Sequence, residues 1–252
     1  MQKIFIVIFS IIIIIIFKMV INRKLFYIRP NYSEKPYKNF LYLKNILEFN
    51  INSTLTWYIP SKYKSNKIII FCHSNFNNIT WKTKILNNLS NHFNCPIICQ
   101  DYLRIKNPSV EKMILCTENL IKFLFKKGYS QDSIILFGES FGSAIALEVG
   151  KKYNIKNIIC YNAFRKINDL FKKIFRYIVS FFISELNNEK IINTSMLNLT
   201  FLNSRDDKLI NYQDIKKMCM ENQIEFLKIY GSHNNSIIPY EVFLRLKQKY
   251  KI

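Results

Sequence analysis

The stretch SIILFGESFGSAIALEVG, residues 133–150, does most to limit what this chain can fold into. An apolar, β-branched run reaches Gly138, and a helical pattern begins just beyond Ser140. The chain carries only 5 glycines in 252 residues, yet Gly138 and Gly142 flank Ser140 at a spacing of two on each side. A strand that turns into a helix this sharply crowds the positions two residues either side of the turn, so only very small side chains fit there. The glycines therefore predict a turn that lifts the Ser140 hydroxyl above a sheet edge at a helix N-terminus.

The rest of the chain agrees with a strand-turn-helix repeat. NKIIIFCHS is a near-continuous apolar run, as expected of a strand covered on both faces. TWKTKILNNLSNHF follows with helical spacing, then strand CPIICQDY, then helix SVEKMILCTENLIKFLFKKG with Gly128 at its C-cap. NIICYN, LNLTFLNS and IEFLKIY read as further strands, with YQDIKKMCMEN and a final helix to Ile252 between and after them. KNFLYLKN and STLTWYIP predict an antiparallel opening pair. This alternation predicts an α/β domain with a mostly parallel sheet and helices on both faces. Ligands of such sheets bind beyond the strand C-termini, so residues following strands are the candidates for function.

The formal net charge of +20 raises the question of a nucleic-acid partner. Lysine is scattered along the whole chain without an RNA-binding motif or a dense arginine cluster, so no nucleic acid is expected. Six cysteines form no CxxC pair, and Cys72, Cys99 and Cys160 lie in apolar runs; buried free thiols are expected. Cys95 and Cys99 lack neighbouring His or Cys partners for zinc, so no metal site is expected.

Residues 4–17, IFIVIFSIIIIIIF, are apolar apart from Ser10, and the run reaches Ile21 if Lys18 snorkels. FKMVINRK offers no small-x-small cleavage site, which favours an uncleaved anchor over a removed signal peptide. The expected organisation is a membrane-spanning signal-anchor over residues 1–22, a connector over 23–37, and one domain over 38–252. Lys18, Arg23, Lys24 and Arg29 follow the anchor whereas Lys3 precedes it, which places the domain on the cytoplasmic side.

A serine hydroxyl is a weak nucleophile: it needs a base, and the base needs a carboxylate to fix its tautomer. The chain has three histidines. His92 lies at a polar helix end, and His73 closes a strand in HSNFNN, where it braces a loop. His233, in YGSHNN, follows the last expected strand, with Gly231 two positions before it. Carboxylates follow the penultimate strand in NSRDDKLI, at Asp206 and Asp207. The order Ser, Asp, His is the one found when an elbow serine is completed by later strand-end loops. The developing oxyanion needs main-chain donors, one after the nucleophile and one after the third strand. Phe141 supplies the first, and Asn75, with Phe76 as the alternative, the second.

With these residues assembled, the chain resembles the α/β-hydrolase-domain serine hydrolases. It is most similar to the small, N-terminally membrane-anchored branch that includes protein depalmitoylases and monoacylglycerol or lysophospholipid lipases. FCHSNFNN looks like the HGNxxN turn of that branch and DYLRIKNPS like its DYRGYGxS. NAFRKINDL is similar to its ENTF-S-I-DM segment, and RDDKLI and GSHNN to its acid and histidine motifs. The resemblance begins near Lys38 and implies the α/β-hydrolase fold. Its register on D-K-L-I-N selects Asp207 as the acid, with Asp206 as the fallback. Ser74 departs from it by replacing a glycine, DYLRIK lacks both glycines of its counterpart, and no proline follows the acid motif.

Between the sixth strand and the acid strand, residues 163–190 carry FKKIFRYIVSFFI, in the place of a lid. The segment is either an ordinary amphipathic helix packed on the core or an interfacial lid, in which Phe171, Phe175, Phe181 and Phe182 face acyl chains, and Lys172, Lys173 and Arg176 lipid phosphates. The resemblance implies a monomeric, membrane-anchored esterase, lipase or thioesterase acting on an acyl ester or thioester of a lipid or lipidated substrate, without a cofactor. The alternatives are acyl transfer on the same triad and an inactive, membrane-tethered binding module.

Overall fold

The computed structural model describes residues 45–75, 79–102, 105, 108–170, 186–192 and 198–252, together with Phe9. Apart from Phe9, the expected anchor and connector lie outside the described residues, as do residues 171–185 of the expected lid. Among the described residues no helix is long and apolar enough to cross a membrane.

Among the described residues, eight strands form one sheet in the order β1-β2-β4-β3-β5-β6-β7-β8. They are β1 Leu47–Ile51, β2 Thr54–Ile59, β3 Ile68–Cys72, β4 Ile97–Gln100, β5 Ile134–Glu139, β6 Asn157–Tyr161, β7 Asn198–Ser204 and β8 Glu225–Ile229. The β1–β2 and β2–β4 pairs are antiparallel and the others parallel. The α-helices among the described residues are α1 Thr83–His92, α2 Val110–Lys126, α3 Phe141–Tyr153, α4 Asn188–Ile192, α5 Tyr212–Glu221 and α6 Tyr240–Tyr250.

The opening pair of strands has a different partner from the one expected. Among the described residues the antiparallel partner of β2 in that pair is LEFNI; KNFLYLKN, apart from Asn45, lies outside them. The cause is local: Asn52 and Ser53 have φ of 47° and 62°, and Ile51 pairs with Thr54 across them. Two successive residues with positive φ form the tight hairpin turn that matches strand twist, so the strand must end at Ile51.

The apolar runs are explained by the core. Ile68, Ile70 and Cys72 of β3 belong to one buried cluster, with Met113 and Leu120 of α2, Ile145 of α3 and Ile215 of α5. Ile69 and Phe71 belong to the other, with Leu86 and Leu89 of α1 and Phe243 and Leu246 of α6. Successive side chains thus bury against opposite helical layers, and all five residues of β3 and all six of β5 are buried. The six cysteines are free and buried. The chain caps its helices where expected: the Ser109 side chain accepts from Lys112 N before α2, and Gly128 takes φ +89° after it. Because β5 to β8 are parallel neighbours, the loops after β5, β7 and β8 emerge at one sheet edge.

Candidate active site

Ser140 joins β5 to α3 with φ 52° and ψ −112°, a backbone conformation that L-residues rarely adopt. The strain is held by hydrogen bonds: Ser140 N donates to Tyr161 O at 2.8 Å, and Ser143 N to Ser140 O at 3.0 Å. The flanking glycines are sterically required. A Cβ on Gly138 would stand 2.4 Å from Ser143 Cα, and one on Gly142 would stand 1.9 Å from the carbonyl oxygen of Cys72. Gly142 therefore lets the start of α3 press against the end of β3, which brings the Ser140 turn beside the loop that carries Asn75.

His233 follows β8 in a loop closed by the paired bonds of Tyr230 and Ile237, with Ile237 N donating to Tyr230 O at 2.7 Å. Gly231 takes φ +93° to enter that loop. His233 Nε2 lies 3.0 Å from Ser140 Oγ, and His233 Nδ1 lies 2.6 Å from Asp207 Oδ2. A carboxylate only accepts, so Nδ1 carries the proton and Nε2 is left as acceptor for the serine hydroxyl. Asp207 is oriented by its other oxygen, which accepts from Leu209 N at 2.8 Å and Ile210 N at 3.1 Å. The Asp207 side chain is 1% exposed and that of His233 13%. Of the two candidate acids, Asp207 meets the imidazole, while Asp206 Oδ2 accepts from Gly231 N at 3.0 Å and shapes the histidine loop.

The other two histidines are bound up in packing. His73 is fully buried, stacks on Tyr102 with ring centroids 4.0 Å apart, and donates from Nδ1 to Ser74 O at 2.8 Å. Burial, aided by the nearby Lys82 charge, holds its pKa down to about 4. His92 bonds Asn88 O at 2.8 Å and stacks on Phe243. Of the expected oxyanion donors, Phe141 is the first residue of α3 and Asn75 lies just past β3, whereas Phe76 lies outside the described residues.

Several residues that hold this arrangement escaped sequence reasoning. Asn162, at φ 46°, donates to His233 O at 2.9 Å and Ser236 Oγ at 2.6 Å, and its Oδ1 accepts from Ser204 N at 3.3 Å. It therefore ties the ends of β6 and β7 to the histidine loop. Its place at the end of NIICYN, just after a strand, was the available signal. Lys82 and Glu139 form a buried ion pair at 2.8 Å. Nothing distinguishes Lys82 by sequence among 37 lysines and arginines.

Two cavities lie near the site, and of its three side chains only Asp207 lines one of them. One of about 240 Å³ is lined by Phe164, Arg165, Asp207 and Leu209. The other, of about 480 Å³, lies between α1 and the histidine loop and is lined by Trp81, Glu139, Tyr161, Asn234 and Ile237. Among the described residues no cluster of three or more His, Cys, Asp or Glu is arranged to hold a metal ion.

No family model matches the chain. Uncharacterized protein R595 of Acanthamoeba polyphaga mimivirus is 28% identical to it over 201 residues, 73% of this chain and 61% of that protein. The chain thus spans less than two thirds of its relative. Among solved structures, it is similar to an esterase of the bacterial hormone-sensitive lipase family, with a TM-score of 0.63 at 10% identity, covering 93% of this chain and 95% of that one. The Pyrococcus furiosus esterase Pf2001 gives a TM-score of 0.62 at 16% identity, over 89% of this chain and 95% of that one. An alpha-beta serine hydrolase homologue from Coxiella burnetii gives 0.52 at 14%, over 82% and 96%. With its mostly parallel eight-stranded sheet and elbow serine, the chain has the α/β-hydrolase fold.

Proposed function

We propose that this chain is a serine hydrolase cleaving carboxylic ester or thioester bonds through an acyl-enzyme. The observation that carries the reading is the contact chain from Ser140 Oγ to His233 Nε2 at 3.0 Å and from His233 Nδ1 to Asp207 Oδ2 at 2.6 Å, built on an elbow that its glycines permit. Ser140 Oγ attacks the acyl carbon as its proton passes to His233 Nε2. The imidazolium is stabilised by Asp207, and the oxyanion accepts from the main-chain N–H groups of Phe141 and Asn75. Collapse of the tetrahedral intermediate sends that proton to the departing oxygen or sulfur. Water then repeats the attack on the acyl-Ser140, using the same base, and releases the acid.

The substrate we propose is a lipid or lipidated acyl ester or thioester, and the protein a monomer anchored in a membrane with its domain on the cytoplasmic side. The apolar run over residues 4–17, the alternation of basic and bulky apolar residues in FKKIFRYIVSFFI, and the resemblance to the depalmitoylase and lipase branch support this. The test pairs a fluorophosphonate probe with a panel of lysophospholipids, monoacylglycerols and palmitoyl-thioesters, for wild type and Ser140→Ala. Labelling and turnover by wild type alone are expected. Equal turnover by both proteins, or no label on either, would remove the assignment in favour of a binding module. Transesterified product on adding an alcohol would favour acyl transfer.

A further inference from the structure

We infer that Lys82 and Glu139 are positioning residues that hold the oxyanion-binding loop in register with Ser140, acting through the polar atoms of Ser74. The inference rests on the hydrolase reading above. Lys82 Nζ lies 2.8 Å from Glu139 Oε2, 3.0 Å from Glu139 Oε1 and 2.8 Å from Ser74 Oγ. Ser74 N donates to Glu139 Oε2 at 3.3 Å, and Ser74 O accepts from His73 Nδ1 at 2.8 Å. The amide, carbonyl and hydroxyl of Ser74 are thus all engaged, the first and last of them by this one ion pair. The His73 carbonyl accepts from the Tyr102 hydroxyl, so the residue before Ser74 is tied as well.

The chemistry of the pair explains why it sits there. Removing two charges from water is expensive and is seldom a source of net stability, but a buried pair has one geometry and so specifies register. The Lys82 and Glu139 side chains are only 9% and 7% exposed. Glu139 is covalently joined to Ser140, and Ser74 to Asn75. A single carboxylate therefore indexes the amide next to one end of the oxyanion site against the nucleophile at the other. A glycine at position 74 would offer Lys82 no hydroxyl. Ser74, which departs from the family resemblance, is the handle by which this chain grips its loop.

An oxyanion exists only after attack, so an error in its donors falls on kcat rather than on KM. Misplacement by about 1 Å costs on the order of 10²-fold, similar to the roughly 10²–10³-fold loss of a donor. The test measures steady-state hydrolysis of a short p-nitrophenyl ester by the full chain. Lys82→Met combined with Glu139→Gln removes both charges together, so that neither is left buried alone. We expect kcat to fall about 30- to 300-fold, with KM within about threefold, while the thermal midpoint confirms folding. Lys82→Arg, which keeps the charge and the donors, should restore kcat to within about tenfold of wild type.

A folded double variant with wild-type kcat, or with its loss confined to KM, would overturn the inference. So would a folded Lys82→Arg as impaired as the double variant, since that assigns the effect to packing. If the double variant does not fold, Ser74→Ala decides: it deletes only the hydroxyl, and a kcat loss of about 5- to 20-fold is expected, whereas an unchanged kcat overturns the clamp. A wild type without Ser140-dependent turnover would remove the hydrolase reading and the clamp with it. An active wild type with an equally active double variant would remove the clamp alone.

Discussion

Two histidines of this molecule follow parallel strands at the same sheet edge, and they have opposite surroundings. His73 lies on Tyr102, fully buried, with Nδ1 spent on a backbone carbonyl. His233 is partly exposed, with a carboxylate on one ring nitrogen and a serine hydroxyl on the other. Burial keeps the first neutral through most of the accessible pH range. Asp207 gives the second a partner that would stabilise the charge the proposed reaction places on it. Strand-end position therefore does not set a histidine apart as a candidate base; the polarity of what faces each ring nitrogen does.

The most severe way to break the contrast is His233→Ala, which should lower kcat by about 10⁴- to 10⁶-fold, whereas His73→Asn should lower it less than about tenfold. Hydrolysis of a p-nitrophenyl ester by both variants checks this. The carboxylates sharpen it. Asp207→Asn, which inverts the tautomer preference of His233, should cost about 10⁴-fold in kcat. Asp206→Asn, which weakens one bond to Gly231 N, should cost less than about tenfold.

A smaller effect concerns stability. The unfolded pKa of a histidine is about 6.5, and His73 in the fold is held down to about 4. Between those values the unfolded chain binds a proton that the native state does not, so stability is complete above the upper value and falls as pH drops toward the lower. The loss should approach about 3 kcal/mol. Chemical denaturation at pH 7.5 and 4.5 should show a larger acid penalty for wild type than for His73→Asn. Equal penalties would show that His73 is not the group being protonated. The smallest effect is a null one: burial pushes the thiols of Cys72, Cys95 and Cys219 up to about 12. Iodoacetamide at pH 8 should therefore label the folded protein far more slowly than the unfolded chain, and mass spectrometry would reveal any exception.

The elbow was legible because its constraint is local. Gly138, Ser140 and Gly142 lie within five residues, and the clash a Cβ on Gly138 would make with Ser143 is set by the turn itself, although that on Gly142 would be with Cys72 of β3. The strands were legible for a related reason: alternate residues of β3 and β5 face two apolar layers, which leaves a continuous apolar run in the chain. The partner of β2 was missed because Asn52 and Ser53 form a tight turn without glycine, and asparagine is too common in this chain to stand out.

The choice between Asp206 and Asp207 was beyond spacing alone. Adjacent residues in a loop point different ways, and the contact of Asp207 Oδ2 with His233 Nδ1, with Oδ1 held by Leu209 N and Ile210 N, shows which carboxylate turns toward His233. The sequence by itself determined that a serine would stand on a strained turn at the edge of a two-sided parallel sheet, because backbone sterics and apolar periodicity act over a few residues. Tertiary structure alone decided the meeting of Ser140 with a histidine 93 positions away and of Lys82 with Glu139 57 positions away. Such contacts depend on where strands settle in the sheet, and that is decided by packing across the whole domain.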